Sequence, residues 1–135
     1  MANKKPYVLD TSAIFCLKDN APGAEKVEKI LEGQNKIYAS FMSYMEYLYI
    51  VLMRMGEEQA RADYLKLTML PIEVVESNEE LRFAAAELKA NHQVSLADAW
   101  IAATAQQLNA VLVHRDPEFE ALNKQIECLV LPYKI

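Results

Sequence analysis

Short apolar runs of β type alternate with longer helical stretches along the whole chain, and this alternation restricts the fold more than any single motif does. Tyr7-Val8-Leu9, Lys36-Ile37-Tyr38-Ala39-Ser40 and residues 70–76, 110–113 and 128–131 are rich in branched, aromatic or otherwise apolar side chains and read as strands. Residues 13–17, 24–31, 43–55, 57–69, 78–90 and 95–108 read as helices, with a shorter one from Pro117 to Leu122. Strands separated by helices pair in parallel through crossovers rather than as hairpins. The prediction is therefore an α/β fold of three layers, α/β/α, with a central, mostly parallel sheet covered on both faces. The 135 residues, 53% of them apolar, suit one domain spanning residues 1–135 that buries roughly 70% of its unfolded surface.

In open α/β sheets ligands bind at the carboxyl ends of strands. The first predicted strand runs into Asp10-Thr11-Ser12, which places a carboxylate at such a corner, with Ser12 the expected N-cap of the following helix. Three further acids fall at junctions: Glu46 after the second strand, Asp98 at the start of the Ala-rich helix, and Asp116 after the run Ala110-Val111-Leu112-Val113. Ser43-x-x-Glu46, Ser95-x-x-Asp98 and Ser77-x-x-Glu80 all fit or approximate a capping box, so their spacing has a purely structural explanation. Asp10 and Asp116 precede their helices and are not explained that way.

Four carboxylates brought to one sheet edge would repel one another and take up protons, and a hard divalent cation removes that penalty. Mg²⁺ or Mn²⁺ suits an all-oxygen donor set better than zinc, since there is no cysteine near the acids and only His114 beside them. His114 is expected to be a packed strand-end residue rather than a ligand. Arg115 is read either as a phosphate contact or as a solvated arginine beside Asp116 and Glu118.

The remaining bulk features narrow the class. Residues 44–53, the longest apolar stretch, contain Glu46 and have about half the length of a membrane-spanning helix. Pro6 and Asp10 interrupt any uncharged signal-peptide core after Lys4 and Lys5, so a cytoplasmic, non-membrane protein is expected. Cys16 and Cys128 stand 112 positions apart and read as small buried hydrophobes. A net charge of −5 speaks against a broad nucleic-acid coat while permitting a small acidic pocket. Basic residues such as Lys4, Lys5, Arg54, Arg61, Lys66, Arg82 and Lys89 could line an approach path, though none stands out. Residues 47–53 are apolar or aromatic without a break, which calls for cover on most sides, either as a core helix or against another subunit.

Asp10-Thr11-Ser12, Glu46, Ser95-Leu96-Ala97-Asp98-Ala99 and Asp116-Pro117-Glu118-Phe119, with acids at intervals of 36, 52 and 18 residues, resemble the PIN-domain ribonucleases, and within them the VapC toxins of toxin-antitoxin pairs. The resemblance spans residues 8 to 119 and implies a PIN-like fold and an Mg²⁺- or Mn²⁺-dependent endoribonuclease that hydrolyses RNA phosphodiesters with metal-activated water. It implies that Asp10, Glu46, Asp98 and Asp116 form the catalytic, metal-binding cluster, with Ser12 near the metal or scissile phosphate. Glu118 competes with Asp116 for the fourth acidic place. His114 stands where many members have a small hydroxyl residue. The implied partners are RNA, a small antitoxin protein and a second copy of the chain in a homodimer. An alternative is a non-catalytic PIN-like interaction module with a vestigial acidic site. A phosphatase of the haloacid-dehalogenase type would need a second Asp two residues after Asp10, where this chain has Ser12.

Overall fold

The structure, a computed structural model, describes residues 4–134. Five strands, β1 (Tyr7–Leu9), β2 (Ile37–Ser40), β3 (Glu73–Val75), β4 (Val111–His114) and β5 (Cys128–Val130), form one sheet in the order β3-β2-β1-β4-β5. Every pairing is parallel. Helices α1 (Thr11–Lys18), α2 (Ala24–Glu32), α3 (Phe41–Met55), α4 (Glu57–Thr68), α5 (Glu79–Asn91) and α6 (Leu96–Gln107) supply the crossovers, and a 3-10 helix, Pro117–Leu122, precedes β5.

The strand pleat divides the core into two. Leu9, Ile37, Ala39 and Val113 face one side and pack with α1 to α4, whereas Val8 and Leu112 face the other and pack with α5, α6 and the 3-10 helix. Such two-sided burial is why these strands are apolar at successive positions instead of alternating with polar residues. The Ala-rich sequence of α6 lets it lie against the sheet with Ala99, Ala102, Ala103 and Ala105 buried.

Strand order reverses at β1. The chain leaves β1 towards β2 and β3 on one side, then returns through α5 and α6 to β4 on the other. The carboxyl ends of β1 and β4 therefore open a crevice at the switch point. Both α3, which follows β2, and α6, which runs into β4, direct their N-termini to that same edge.

Helix α3 is a core helix on one side only. Tyr44, Tyr47 and Val51 are buried, but Met45, Tyr49, Leu52, Met53 and Met55 are exposed, Met53 at 71%. One face thus enters the core and the other is open apolar surface. The helix ends at Gly56, where φ is +86° and the amide donates to Leu52 O at 3.0 Å.

Candidate active site

The structure brings the four sequence-predicted acids to one pocket of about 370 Å³, lined by Asp10, Thr11, Ser12, Glu46, Asp98, Arg115 and Asp116 among others. One expected helix start is corrected, and both strand-end acids have a capping role that their sequence positions did not suggest. Ser12 does not cap α1; Asp10 does, its Oδ2 accepting from the Ser12 amide at 3.0 Å and from Ser12 Oγ at 2.5 Å. Asp116 likewise caps the 3-10 helix, accepting from the Glu118 amide at 3.0 Å. Capping therefore engages Asp10 and Asp116 as well, because a carboxylate at a strand end points straight at the free amides of the next turn.

The boxes on Ser43 and Ser77 are also corrected. Ser40 caps α3 through the Met42 amide, which moves Glu46 into the second turn, beyond reach of the cap, and leaves the buried Ser43 Oγ without a partner. Glu46 instead accepts from Thr11 Oγ1 at 2.6 Å. Asn78, not Ser77, caps α5 by accepting from the Leu81 amide. At α6 half of the expected box is present. Ser95 Oγ accepts from the Asp98 amide at 3.1 Å, but the Ser95 amide donates to Glu118 and not to Asp98. Glu118, on the 3-10 helix, thereby fills the place that Asp98 would have taken and leaves the Asp98 carboxylate without a capping bond.

Asp98, Asp116 and Glu118 each offer an oxygen within 4.8 Å of the others'. At an effective dielectric constant of about 20, each like-charge pair at a separation near 5 Å costs about 3 kcal/mol. Helix-terminus interactions return roughly 0.3–1 kcal/mol apiece. Repulsion exceeds capping on these magnitudes, a balance that a bound cation would reverse. Asp10, only 3% exposed, shows the same pressure. Burial pushes its carboxyl up to about 7 against the opposing bonds from Ser12, and the charges of Glu46 and Asp116 add to the rise. Burial also raises Asp98, with Asp10, Asp116 and Glu118 pushing the same way. An all-carboxylate, partly buried donor set of this kind fits a hard divalent cation.

The neighbouring residues fix the acids in place. Ser12 Oγ, besides donating to Asp10, accepts from the Arg115 amide at 2.9 Å and so ties the end of β1 to the end of β4. Arg115 is not the solvated arginine that its acidic neighbours suggested. It is 7% exposed, with Nε donating to Ser12 O at 3.3 Å. His114 is buried against Phe119, ring centroids 4.9 Å apart, and its Nδ1 accepts from the Asp116 amide at 3.1 Å. That bond requires a neutral ring protonated on Nε2, and burial lowers the His114 pKa in keeping with it. The expected packed role of His114 holds, and the ring also supplies the acceptor for the amide of Asp116.

Comparisons with known proteins identify the family. Residues 7–125 match the PIN domain model. The chain belongs to the PIN-domain family. It is 31% identical over 125 residues to Ribonuclease VapC1 of Haemophilus influenzae, covering 86% of this chain and 91% of that one. Among solved structures, VapBC-1 from nontypeable Haemophilus influenzae superposes with a TM-score of 0.73 at 28% identity, over 92% of this chain and 96% of that one. VapBC2 from Rickettsia felis, bound to a DNA fragment from its promoter, gives a TM-score of 0.74 over 93% and 98% at 20% identity, a likeness of fold.

Two residues of this PIN-domain pocket were not singled out from the sequence. Thr11 was quoted only as part of Asp10-Thr11-Ser12, yet its hydroxyl holds Glu46. Arg54 is the one member of the scattered basic set that lines the pocket, which Lys134 also borders.

Proposed function

We propose that this PIN-domain protein is an Mg²⁺- or Mn²⁺-dependent endoribonuclease of the VapC toxin type. The observation that carries the reading is the gathering of Asp10, Glu46, Asp98 and Asp116 around one pocket at the switch point of the sheet. Named as a ribonuclease, the Haemophilus relative supports the substrate class. Asp98 and Asp116, with Asp10 and Glu46 beside them, would hold the cation, and the proximity of Glu118 makes it a further ligand candidate. When bound, the cation supplies Lewis acidity to an attacking water and to the leaving oxygen of an in-line phosphodiester displacement.

The protein's own groups then have separate tasks. Ser12 and Thr11 orient Asp10 and Glu46 through their hydroxyls. Arg115, with its side chain at the pocket wall, would contact a phosphate oxygen, and Ser12 would act close to the same phosphate. Products would carry 5′-phosphate and 3′-hydroxyl ends.

As partners we assign a small antitoxin and a second copy of the chain, with the open apolar face of α3 supporting protein association. No described helix is long and apolar enough to cross a membrane, and the reading places the single domain in the cytoplasm. The test is cleavage of several structured RNAs by purified protein, free of antitoxin, with Mn²⁺ or Mg²⁺. Cleavage that stops on chelation and in Asp10→Asn is expected. No cleavage of any RNA would leave a non-catalytic module as the better account.

A further inference from the structure

The pocket has an acidic floor, and a polyanion must still be held against it. With a net charge of −5 the chain provides no broad attractive field, so affinity for RNA has to come from a few cations at the pocket itself. Three basic residues line it: Arg54, Arg115 and Lys134. Arg115 is buried and already bonded to Ser12. Arg54, in the last turn of α3, is exposed, and its guanidinium carbon lies 5.2 Å from the centroid of the Phe15 ring. Phe15 in turn stacks on Tyr47 at 5.0 Å, so the platform under Arg54 is anchored in the core.

Among the described residues Arg54 makes no ion pair and no side-chain hydrogen bond, although acids line the same pocket. A guanidinium held over an aromatic face keeps its N–H donors available for the paired oxygens of a phosphate. A surface arginine with only a packing role would gain from a carboxylate neighbour, and among the described residues none lies within ion-pair distance of this one.

From this geometry we infer that Arg54, seated on Phe15, binds a phosphate of the RNA backbone adjacent to the scissile one and sets the register of the strand over the acids. Arg54 is thus a substrate-binding residue. The inference rests on the ribonuclease reading and adds to it the contact that fixes the strand.

Arg54→Ala and Arg54→Lys are compared with native protein on whichever RNA the native protein cuts with Mn²⁺. Binding is measured in an Asp98→Asn background, where the strand is not consumed. Arg54→Ala is expected to raise the half-saturating RNA concentration about tenfold with a much smaller change in kcat. It should also lower the slope of log affinity against log salt by about 0.7, the loss of one phosphate contact on a single strand. Arg54→Lys should restore the slope and only part of the affinity. A merely structural residue would not move the salt slope. Native cleavage with an unchanged KM and slope in Arg54→Ala overturns this inference alone, whereas native protein that neither binds nor cuts RNA overturns the ribonuclease reading with it.

Discussion

The Thr11 hydroxyl donates to the Glu46 carboxylate over 2.6 Å and joins the first turn of α1 to the second turn of α3. Thr11 is buried and Glu46 is half-buried, so the bond is part-shielded from water. It holds the Glu46 carboxylate at the pocket, which both residues line. Thr11→Val removes the donor while keeping the shape, and loss of such an orienting bond typically costs ten- to a hundredfold in metal affinity. The expected result is an Mn²⁺ requirement for half-maximal cleavage raised about tenfold, with Tm little changed. Equal Mn²⁺ titrations for Thr11→Val and native protein would show that Glu46 does not depend on this bond.

Glu118 occupies two environments at once, the α6 N-terminus through the Ser95 amide and the carboxylate group of Asp98 and Asp116. Glu118→Gln separates them, because a side-chain amide oxygen still accepts from Ser95 but carries no charge. Calorimetric titration should show Mn²⁺ binding weakened about tenfold or more, with the helix retained. Asp98→Asn and Asp116→Asn should each lower cleavage at saturating Mn²⁺ by at least about a hundredfold. If Glu118→Gln bound Mn²⁺ like native protein, Glu118 would be a capping residue only and Asp116 would stand as the fourth acid.

How far the sequence revealed this site depends on the distance between the residues that make each contact. Strand ends were legible because Tyr7-Val8-Leu9 and Val111-Leu112-Val113 are short apolar runs that stop at polar residues, and five parallel strands follow from the alternation with helices. Asp10, Asp98 and Asp116 could be placed at one edge for that reason. The start of α3 was misplaced by three residues because Ser40 and Ser43 are equally good caps, and only the sheet register, with Ser40 opposite Val75, decides between them. The bond from the Ser95 amide to Glu118 joins residues 23 apart, and no local spacing reports it. Arg54 was one of seven scattered basic residues, and nothing in the sequence set it apart from the others. Its position over Phe15 follows from how α1 and α3 cross, which is a property of packing and not of either helix alone.

The raised carboxyl groups give stability a definite dependence on pH. Asp10 titrates near 7 in the folded chain and near 3.8 unfolded, so between those values the folded state holds a proton that the unfolded state has lost. Stability is therefore greatest below the unfolded value and declines as pH rises through the folded one. Asp98, raised as well, extends the decline to higher pH. Metal-free protein should show a Tm several degrees lower at about pH 8 than at about pH 5, and Asp10→Asn should flatten that slope. Mn²⁺ competes with these protons, so the Tm gain from added Mn²⁺ should be larger at about pH 8 than at about pH 5. A metal-free Tm that rose over this range would contradict the burial of these acids.

Met45, Tyr49, Leu52 and Met53 recur along α3 at the spacing of one helix face and are all exposed. Leu65 of the following helix α4 and Met69, which caps its C-terminus, are exposed too. A contiguous apolar surface of this kind on a chain with a fully formed core is better explained by association than by folding. A second copy of the chain would cover the face by presenting the same stripe in return, as two-fold contacts do. Leu52→Glu puts a charge at the centre of that stripe without touching the buried Tyr44, Tyr47 or Val51. Light scattering on the size-exclusion peak should give twice the chain mass for native protein and the single-chain mass for Leu52→Glu, with cleavage per chain maintained, since Leu52 lies outside the acidic pocket. A dimer that survived Leu52→Glu would assign the interface to another face.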